Sequence, residues 1–222
     1  MSKAWSYSRL KAFEQCPFQF LHTKVLRTYE QPETEAMRYG NEFHKAAEDY
    51  IATDKPLPGR FMYAKDVLDA LNRFGGEKLC EYKMGMTADL EPCDFFAEDV
   101  WYRGIADLTV LHYDHNLARS IDYKTGKNAK YADEGQLELM ALCTFAHFPE
   151  MDKVKAALLF VVANTFIPRT YTRYDIPALW EKWLTKHAVM EEAFKNDVWN
   201  PRPSGLCKRH CDVLECAHNG RN

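Results

Sequence analysis

The order of strand-like and helix-like segments is the feature of this sequence that most restricts its fold. Three strand-like segments follow one another, and a helix and two further strands come after them. The predicted strands cover residues 79–88, 101–112, 117–124, 154–163 and 168–174, and the helix after the third strand covers 134–147. Strands in a meander pair antiparallel, whereas a crossover helix allows parallel pairing. The sequence therefore predicts an α/β fold with a mixed central sheet flanked by helices.

Helices are also predicted on both sides of these strands. The stretch Ser6-Tyr7-Ser8 can cap a helix that carries Leu10 and Phe13, and Pro17 starts a second, short helix. Further helices are predicted at 38–52, 64–74 and 177–195, with polar connections at 27–36 and 53–60. We expect a single domain over residues 1–222, made of a helical part (1–75), a core (76–200) and a cysteine-rich C-terminal segment (201–222).

The composition of the 222-residue chain favours a globular protein with one good core, because 46% of its residues are hydrophobic. No run approaches the roughly 18 apolar residues of a membrane span, and the start has no apolar signal core. We therefore expect a soluble, cytoplasmic protein without a membrane partner. The net charge is −3, so a polyanionic ligand would need a local basic patch or bound cations.

Residues 121–127, IDYKTGK, place an aspartate and a lysine on a predicted strand just before a turn. Because strand side chains alternate between faces, Asp122 and Lys124 point the same way. The preceding strand carries Asp107 between apolar residues, where a carboxylate needs a partner. If the two strands are neighbours, Asp107 and Asp122 meet on one face, and a divalent cation would offset their repulsion. Lys124 would then face an anionic reacting group, and the alternative is a surface ion pair.

The segments GIAD at 104–107 and IDYKTGK at 121–127 resemble the paired core motifs of the PD-(D/E)XK nucleases, in their RecB-like branch. Three further matches follow the family's order: SYSRLKAFEQCPFQF at 6–20 with its N-terminal helix motif, GNEFHKAAE at 40–48 with its G-x-x-x-H motif, and Gln136 with the glutamine of its Q-x-x-x-Y motif. Residue 140 is Met, so the tyrosine of that last motif is absent. The chain is most similar to short, free-standing members, including CRISPR-associated and phage-encoded RecB-like exonucleases.

This resemblance implies a restriction-endonuclease-like core with a metal site. It implies that His44, Asp107 and Asp122 are side-chain ligands and that the backbone carbonyl of Tyr123 is a further one. Carboxylates with one imidazole suit Mg or Mn. Without the resemblance, His44 would be interpreted as a solvent-facing histidine on a helix.

The resemblance also implies a catalytic set. Lys124 would act with Asp107 and Asp122, and Gln136 would position the lysine or the phosphate. An ordinary place on a helix surface is the alternative for Gln136. Glu81, on the strand before that of Asp107, would either touch the metal through water or be an exposed strand glutamate.

A second candidate site consists of three cysteines near the C terminus: Cys207, Cys211 and Cys216. Related cluster-bearing nucleases place three cysteines there, at slightly different spacing, with a fourth at the position of Cys16. The resemblance therefore implies a 4Fe-4S iron–sulfur cluster held by these four thiolates. Zinc is the alternative, held by the same thiolates or by three of them with His210 or His218, and a flexible thiol-rich tail is a third interpretation. The remaining cysteines lie in or near apolar stretches and are predicted to be buried small hydrophobes: Cys80, Cys93 and Cys143.

Two classes of function follow. The first is a metal-dependent DNA exonuclease acting on single strands or DNA ends, located in the host cytoplasm if a phage encodes it, with protein partners in DNA recombination, repair or replication. The second is a catalytically silent DNA-binding or adaptor module that retains the nuclease fold. A hydrolase of another phosphate ester is a weaker third option. The trio of Asp107, Asp122 and Lys124 favours the enzyme, because a binding module does not need it.

Overall fold

The structure is a computed structural model that describes residues 4–29, 31–130 and 132–221. Residue 30 of the predicted 27–36 connection and the first three residues of the chain lie outside the described residues. The chain groups into two compact units: one comprises the N-terminal residues to Glu33 and the residues from Glu181 onward, and the other comprises Thr34–Trp180. No helix among the described residues is long and apolar enough to cross a membrane.

The unit Thr34–Trp180 contains a six-stranded mixed sheet. The strands are β1 (Glu77–Met86), β2 (Pro92–Cys93), β3 (Tyr102–His112), β4 (Leu117–Lys124), β5 (Lys153–Phe160) and β6 (Thr165–Thr172). Their order across the sheet is β2-β1-β3-β4-β5-β6, and only β4 and β5 run parallel among these neighbours. The predicted α/β class with a mixed sheet is confirmed. The two-residue β2 was not predicted, because a strand this short has no alternation to detect.

The described α-helices, in chain order, are α1 (Tyr7–Gln15), α2 (Pro17–Phe20), α3 (Glu35–Thr53), α4 (Lys65–Asn72), α5 (Gly135–His147) and α6 (Ile176–Asn196). Helix α3 begins three residues before its predicted start, because Thr34 caps it and accepts a hydrogen bond from the Met37 N–H at 3.2 Å. The predicted helix at 64–74 is preceded by a 3₁₀ turn at Gly59–Ala64. Helix α5 connects β4 to β5, as parallel pairing of these strands requires.

The two faces of the sheet are covered by different helices. Phe43 of α3 and Leu68 of α4 belong to a buried cluster that includes Leu108 and Ile121 of the sheet. Ser120, next to Ile121 and therefore on the other face, lies 3.3 Å from the Thr144 hydroxyl of α5. Apolar packing on both faces buries the middle of the sheet and leaves its strand ends for polar groups.

The hairpin between β5 and β6 differs from the prediction. The predicted strand at 154–163 continued through Val161 and Val162, because these residues extend the apolar run of β5. In the structure the chain turns there, and Asn164 adopts a left-handed φ of 47°. Pro168 was expected at the start of the next strand but lies inside β6, which tolerates a missing N–H because it is an edge strand.

The other unit contains both ends of the described chain. Ser6 caps α1 by accepting a hydrogen bond from the Arg9 N–H at 3.3 Å, as predicted. The C-terminal segment buries Val213, and the side-chain amide of Asn219 donates to the carbonyls of Cys211 and Val213 at 3.1 and 2.8 Å. Hydrogen bonds from the Asn219 side chain to the backbone therefore stabilise this segment in place of a regular helix or strand.

Candidate metal centre

Asp107 and Asp122 lie where the pairing between β3 and β4 stops. The last regular pair of these strands is Leu108 with Ile121, and the two aspartates are the next residues on each strand. Asp107 Oδ2 accepts a hydrogen bond from the backbone N–H of Tyr123 at 2.6 Å. The carboxylate thus accepts a bond that a backbone carbonyl of the neighbouring strand accepts in a regular sheet. Both carboxylates are buried, with exposed fractions of 7% and 4%. Buried carboxylates in adjacent positions require positive charge nearby.

Glu81 lies opposite Asp107 in the register of β1 and β3. Its backbone φ is 49°, a left-handed conformation that costs a residue with a Cβ roughly 1–2 kcal/mol. The alternation of side chains between the two faces of the sheet is interrupted at Glu81. Cys80 packs against the core of α3 and α4 on one face, whereas the ring of Tyr82 contacts His147 of α5 on the other face. Strain of this kind is retained where the backbone must aim a particular side chain. Here the kink directs the Glu81 carboxylate at the end of the Asp107 side chain.

His44 approaches these carboxylates from α3. Its Nδ1 lies 3.1 Å from Asp107 Oδ1 and 3.8 Å from Glu81 Oε1, and the ligand atoms of the three residues lie within 4.8 Å of one another. Burial lowers the pKa of His44, but its hydrogen bonds to Asp107 and Glu81 and the charges of Asp107 and Asp122 raise it to about 10. The carboxylates therefore create a strongly negative potential that stabilises a cation at this position.

Asp122, Lys124 and Gln136 form a connected polar network beside this group. Lys124 Nζ donates a hydrogen bond to Gln136 Oε1 at 2.8 Å, and Gln136 Nε2 donates to Asp122 Oδ1. Lys124 Nζ also lies 2.6 Å from Asp122 Oδ2, an ion-pair contact outside hydrogen-bond geometry. Among the described residues the buried Oδ2 atom makes no contact of hydrogen-bond geometry, and the ammonium of Lys124 is a cation beside it.

The pKa of Asp122 shows the same shortage of positive charge. Burial and the charge of Asp107 raise it, the charges of Lys124 and His44 lower it, and the balance is about 6. One lysine therefore does not fully stabilise the ionised form of Asp122. An imidazole and buried carboxylates are also the donor set that suits Mg²⁺ or Mn²⁺, so the residues present fit a divalent metal.

The structure brings together most of the side chains singled out in the sequence, and it adds one. The ligand atoms of His44, Asp107 and Glu81 lie close enough together to bind one metal ion. For Glu81 the sequence had left two interpretations open, a metal contact through water and an exposed strand glutamate. Asp122 is not part of that group but interacts electrostatically with Asp107 and His44. The register that places Glu81 opposite Asp107 is set by the structure, and neither this register nor the left-handed φ of Glu81 has a signal in the sequence.

The sequence matches the family model described as the PD-(D/E)XK nuclease superfamily over residues 4–74 and 63–216. The chain belongs to the PD-(D/E)XK nuclease superfamily. Residues 122–124 read Asp-Tyr-Lys, the D-x-K of the family's name. The protein is thus a member of a family of nucleases that use divalent metals.

Solved structures place the fold of this PD-(D/E)XK protein among known ones. The crystal structure of a candidate exonuclease from Eubacterium rectale matches it with a TM-score of 0.53 and 14% sequence identity, covering 96% of this chain and 90% of that chain. At this identity the likeness shows the fold alone. The crystal structure of SSO0001 has a TM-score of 0.42 and 12% identity, covers 99% of this chain and 88% of that chain, and supports no inference. No curated protein is significantly similar to the chain in sequence.

The four cysteines predicted to bind a cluster all belong to the unit that contains the chain ends, and none of them forms a disulfide. Cys16 Sγ accepts backbone N–H hydrogen bonds from Gln19 at 3.5 Å and from Arg202 at 3.4 Å. Cys207 Sγ accepts another from Ser204 at 3.3 Å. Backbone N–H groups directed at sulfur favour thiolates, the form that binds metals and iron–sulfur clusters.

The sulfur atoms are near one another without converging on a single point. Burial raises the pKa of Cys211, a hydrogen bond from the Val213 backbone lowers it, and the neighbouring thiols of Cys207, Cys16 and Cys216 raise it further. Among the described residues, no cysteine belongs to a group of three or more ligand atoms within 4.8 Å of one another. Tetrahedral zinc with bonds near 2.3 Å requires sulfurs roughly 3.8 Å apart.

The three remaining cysteines differ in burial. Cys143 of α5 is fully buried, as predicted for a small hydrophobe. Cys80 and Cys93 are half-buried, so the prediction of burial is wrong in degree for both. Cys93 lies in the two-residue edge strand β2, and Cys80 packs at the border of the core.

Proposed function

We propose that this PD-(D/E)XK nuclease hydrolyses phosphodiester bonds of DNA with Mg²⁺ or Mn²⁺ as its cofactor. His44, Asp107 and Asp122 would hold the cation with the backbone carbonyl of Tyr123, and Glu81 would be a further direct or water-mediated ligand. The observation that carries this proposal is the convergence of His44, Glu81 and Asp107 beside the buried carboxylate of Asp122. The cation would neutralise charge on the phosphate and activate the attacking water.

Side chains of the protein would position the reacting groups and stabilise the negative charge on the phosphate. Lys124 presents an ammonium at the end of β4, where it would orient the attacking water or stabilise negative charge that develops on the phosphate. The amide of Gln136 bonds to both Lys124 and Asp122 and so holds the lysine ammonium beside the carboxylate. His44 and Asp107 hold each other across α3 and β3. Each group would therefore be aligned before DNA arrives.

The substrate class rests on the resemblance of the sequence motifs to those of RecB-like exonucleases. We assign single-stranded DNA or DNA ends as the substrate and exonucleolytic cleavage as the activity. The enzyme would act in the cytoplasm, which is the host's if a phage encodes it. Its partners would be proteins of DNA recombination, repair or replication.

A second cofactor is proposed for the cysteines. Cys16, Cys207, Cys211 and Cys216 would hold a 4Fe-4S cluster, with zinc as the alternative. The backbone N–H groups directed at Cys16 and Cys207 support thiolate ligands, the form that both a cluster and zinc require.

Metal dependence tests the proposed activity. Degradation of an end-labelled single-stranded oligonucleotide should require a divalent cation, with Mn²⁺ at least as effective as Mg²⁺. Ca²⁺ should support DNA binding without turnover, because its larger and looser coordination sphere does not place the attacking water in line. The readout is product formation on a denaturing gel, with binding in Ca²⁺ followed by fluorescence anisotropy.

Robust cleavage in excess EDTA would rule out the mechanism. DNA binding without cleavage in either Mn²⁺ or Mg²⁺ would instead favour the catalytically silent module.

A further inference from the structure

Further along β1 and β3 from Glu81 and Asp107, two aromatic rings and two cationic side chains form a surface patch. We call it the Phe96 patch and define it as Lys83, Phe95, Phe96 and Arg103. Lys83 Nζ lies 5.5 Å from the ring centre of Phe96, and Arg103 Cζ lies 5.3 Å from that of Phe95. The two rings are 5.1 Å apart at 80° to each other. Mixed aromatic and cationic groups of this kind bind single-stranded nucleic acid by stacking and charge.

The patch is exposed, and its two cations form no salt bridge among the described residues. The Phe96 side chain is 70% exposed, which is unusual for a phenylalanine of a soluble domain, and Ile105 between the cations is 40% exposed. Over residues 4–29, 31–130 and 132–221, no carboxylate forms a salt bridge with Lys83 or Arg103, and Arg103 Nε lacks a hydrogen-bond acceptor. The carboxylates of Asp94 and Asp99 act on the Cys93 thiol together with Arg103, so acidic groups lie near the patch. Lys83 and Arg103 nevertheless face the rings and can contact phosphates.

The turn that carries the rings is built into the sheet. A Cβ on Gly85 would lie 2.6 Å from the carbonyl oxygen of Asp94, so glycine is what allows the 93–94 backbone to approach β1. The Asp94 carboxylate then accepts the Phe96 N–H at 2.8 Å and closes a turn. Phe96 is therefore presented by a fixed turn.

The patch and the metal centre share two strands. Lys83 follows Glu81 by two residues, and Arg103 precedes Asp107 by four, on neighbouring strands in register. At about 3.3 Å per residue these offsets are roughly 7 and 13 Å. Tyr82 contacts α5, so Lys83 points to the opposite face, the one that α3 covers further along the sheet. A stacked strand rises about 3.4 Å per nucleotide, so the patch lies roughly two to four nucleotides from the metal centre.

We propose that the Phe96 patch is a subsite for the single-stranded substrate, two to four nucleotides from the bond that is cleaved. One base stacks on the ring of Phe96, and Lys83 and Arg103 contact the adjoining phosphates. This proposal rests on the proposed nuclease function and adds the position of the strand. It also explains how a chain of net charge −3 holds a polyanion, because the charge needed is local.

Equilibrium binding tests the patch separately from catalysis. The full-length protein in Ca²⁺ is titrated into a fluorescein-labelled oligothymidylate, and Kd is measured by anisotropy. Phe96→Leu keeps an apolar side chain but removes the π face, and it should raise Kd roughly 5- to 100-fold, the range for one base–aromatic stack. Phe96→Trp should bind as tightly as the wild type. Tyr174→Leu is the matched control, because Tyr174 is 96% exposed and distant from both sites in sequence.

An abasic position in the oligonucleotide, moved one nucleotide at a time, locates the stack. The wild type should lose affinity at one position two to four nucleotides from the cleaved bond, and Phe96→Leu should show no such loss. Unchanged affinity of Phe96→Leu, or equal loss in Phe96→Trp, would overturn the proposal.

Cleavage of a dinucleotide separates this proposal from the one on which it rests. Such a substrate is too short to reach the patch, so Phe96→Leu should cleave it like the wild type. An equal loss on the dinucleotide and the long strand would indicate a structural role of Phe96 and overturn the subsite. A wild-type protein that cleaves neither substrate would refute the nuclease function, while the affinity difference in Ca²⁺ would still report on the patch.

Discussion

Lys124→Ala is expected to reduce DNA cleavage roughly 10²–10³-fold or more without unfolding the protein, by analogy with the loss of a single transition-state donor. The side chain of Lys124 is 35% exposed at the end of β4, and its contacts are to the site rather than to the core. Removing it therefore leaves the packing intact but removes the ammonium beside Asp122. The measurement is the single-turnover rate with saturating Mn²⁺.

Asp122→Ala should have an equally large effect on cleavage by a different route, the loss of a metal ligand. Because burial and Asp107 raise the pKa of Asp122 to about 6, its charge is disfavoured in the fold without a cation. The variant should therefore be at least as stable as the wild type at neutral pH. Lys155→Ala, which removes an exposed lysine from β5, serves as the control and should cleave normally. Turnover near that of the wild type in either Lys124→Ala or Asp122→Ala would refute the site.

If the proposed cluster is present, Cys16→Ala and Cys216→Ala should each eliminate it and lower the stability of the unit that contains the chain ends. Cys16 lies between α1 and α2, whereas Cys216 lies in a C-terminal segment without hydrophobic periodicity. A metal centre that joins them closes a very long loop, for which a cross-link is most effective in principle. Iron and zinc content, visible absorbance and thermal unfolding of protein purified without oxygen give the readout.

Cys80→Ala is the matched control for the cysteines, because Cys80 is a half-buried thiol outside the proposed cluster, and it should keep full metal content. Retention of metal in Cys16→Ala together with its loss in Cys216→Ala would contradict the four-thiolate bridge. A local zinc site with His210 or His218 would then explain the result.

The central part of the fold could be predicted because its signals are local. Strand β4 has the predicted bounds of 117–124, and α5 begins one residue from its predicted start. Both have apolar residues at the spacing of their element, and a turn or polar stretch ends each one. Asp107 and Asp122 were predicted to meet because a meander places consecutive strands side by side. Local pattern and simple topology were sufficient for these features.

Other features depend on contacts that no local pattern reveals. The early start of α3 is set by the cap on Thr34, and the turn after β5 interrupts an apolar run. The kink at Glu81 could not be predicted, because a left-handed φ is uncommon for glutamate. The kink serves to direct the Glu81 carboxylate towards Asp107. The Phe96 patch needs the register of β1 and β3 and the close approach of the chain at Gly85.

The position of the bound metal ion is the most direct test of the proposed metal centre. The measurement is an anomalous difference map from crystals of the wild-type protein grown with Mn²⁺. We expect the strongest peak within bonding distance of the Asp107 and Asp122 carboxylates and the His44 imidazole, with Lys124 Nζ beside it. A peak that touches neither Asp107 nor Asp122, or no peak under conditions in which Mn²⁺ supports cleavage, would contradict it.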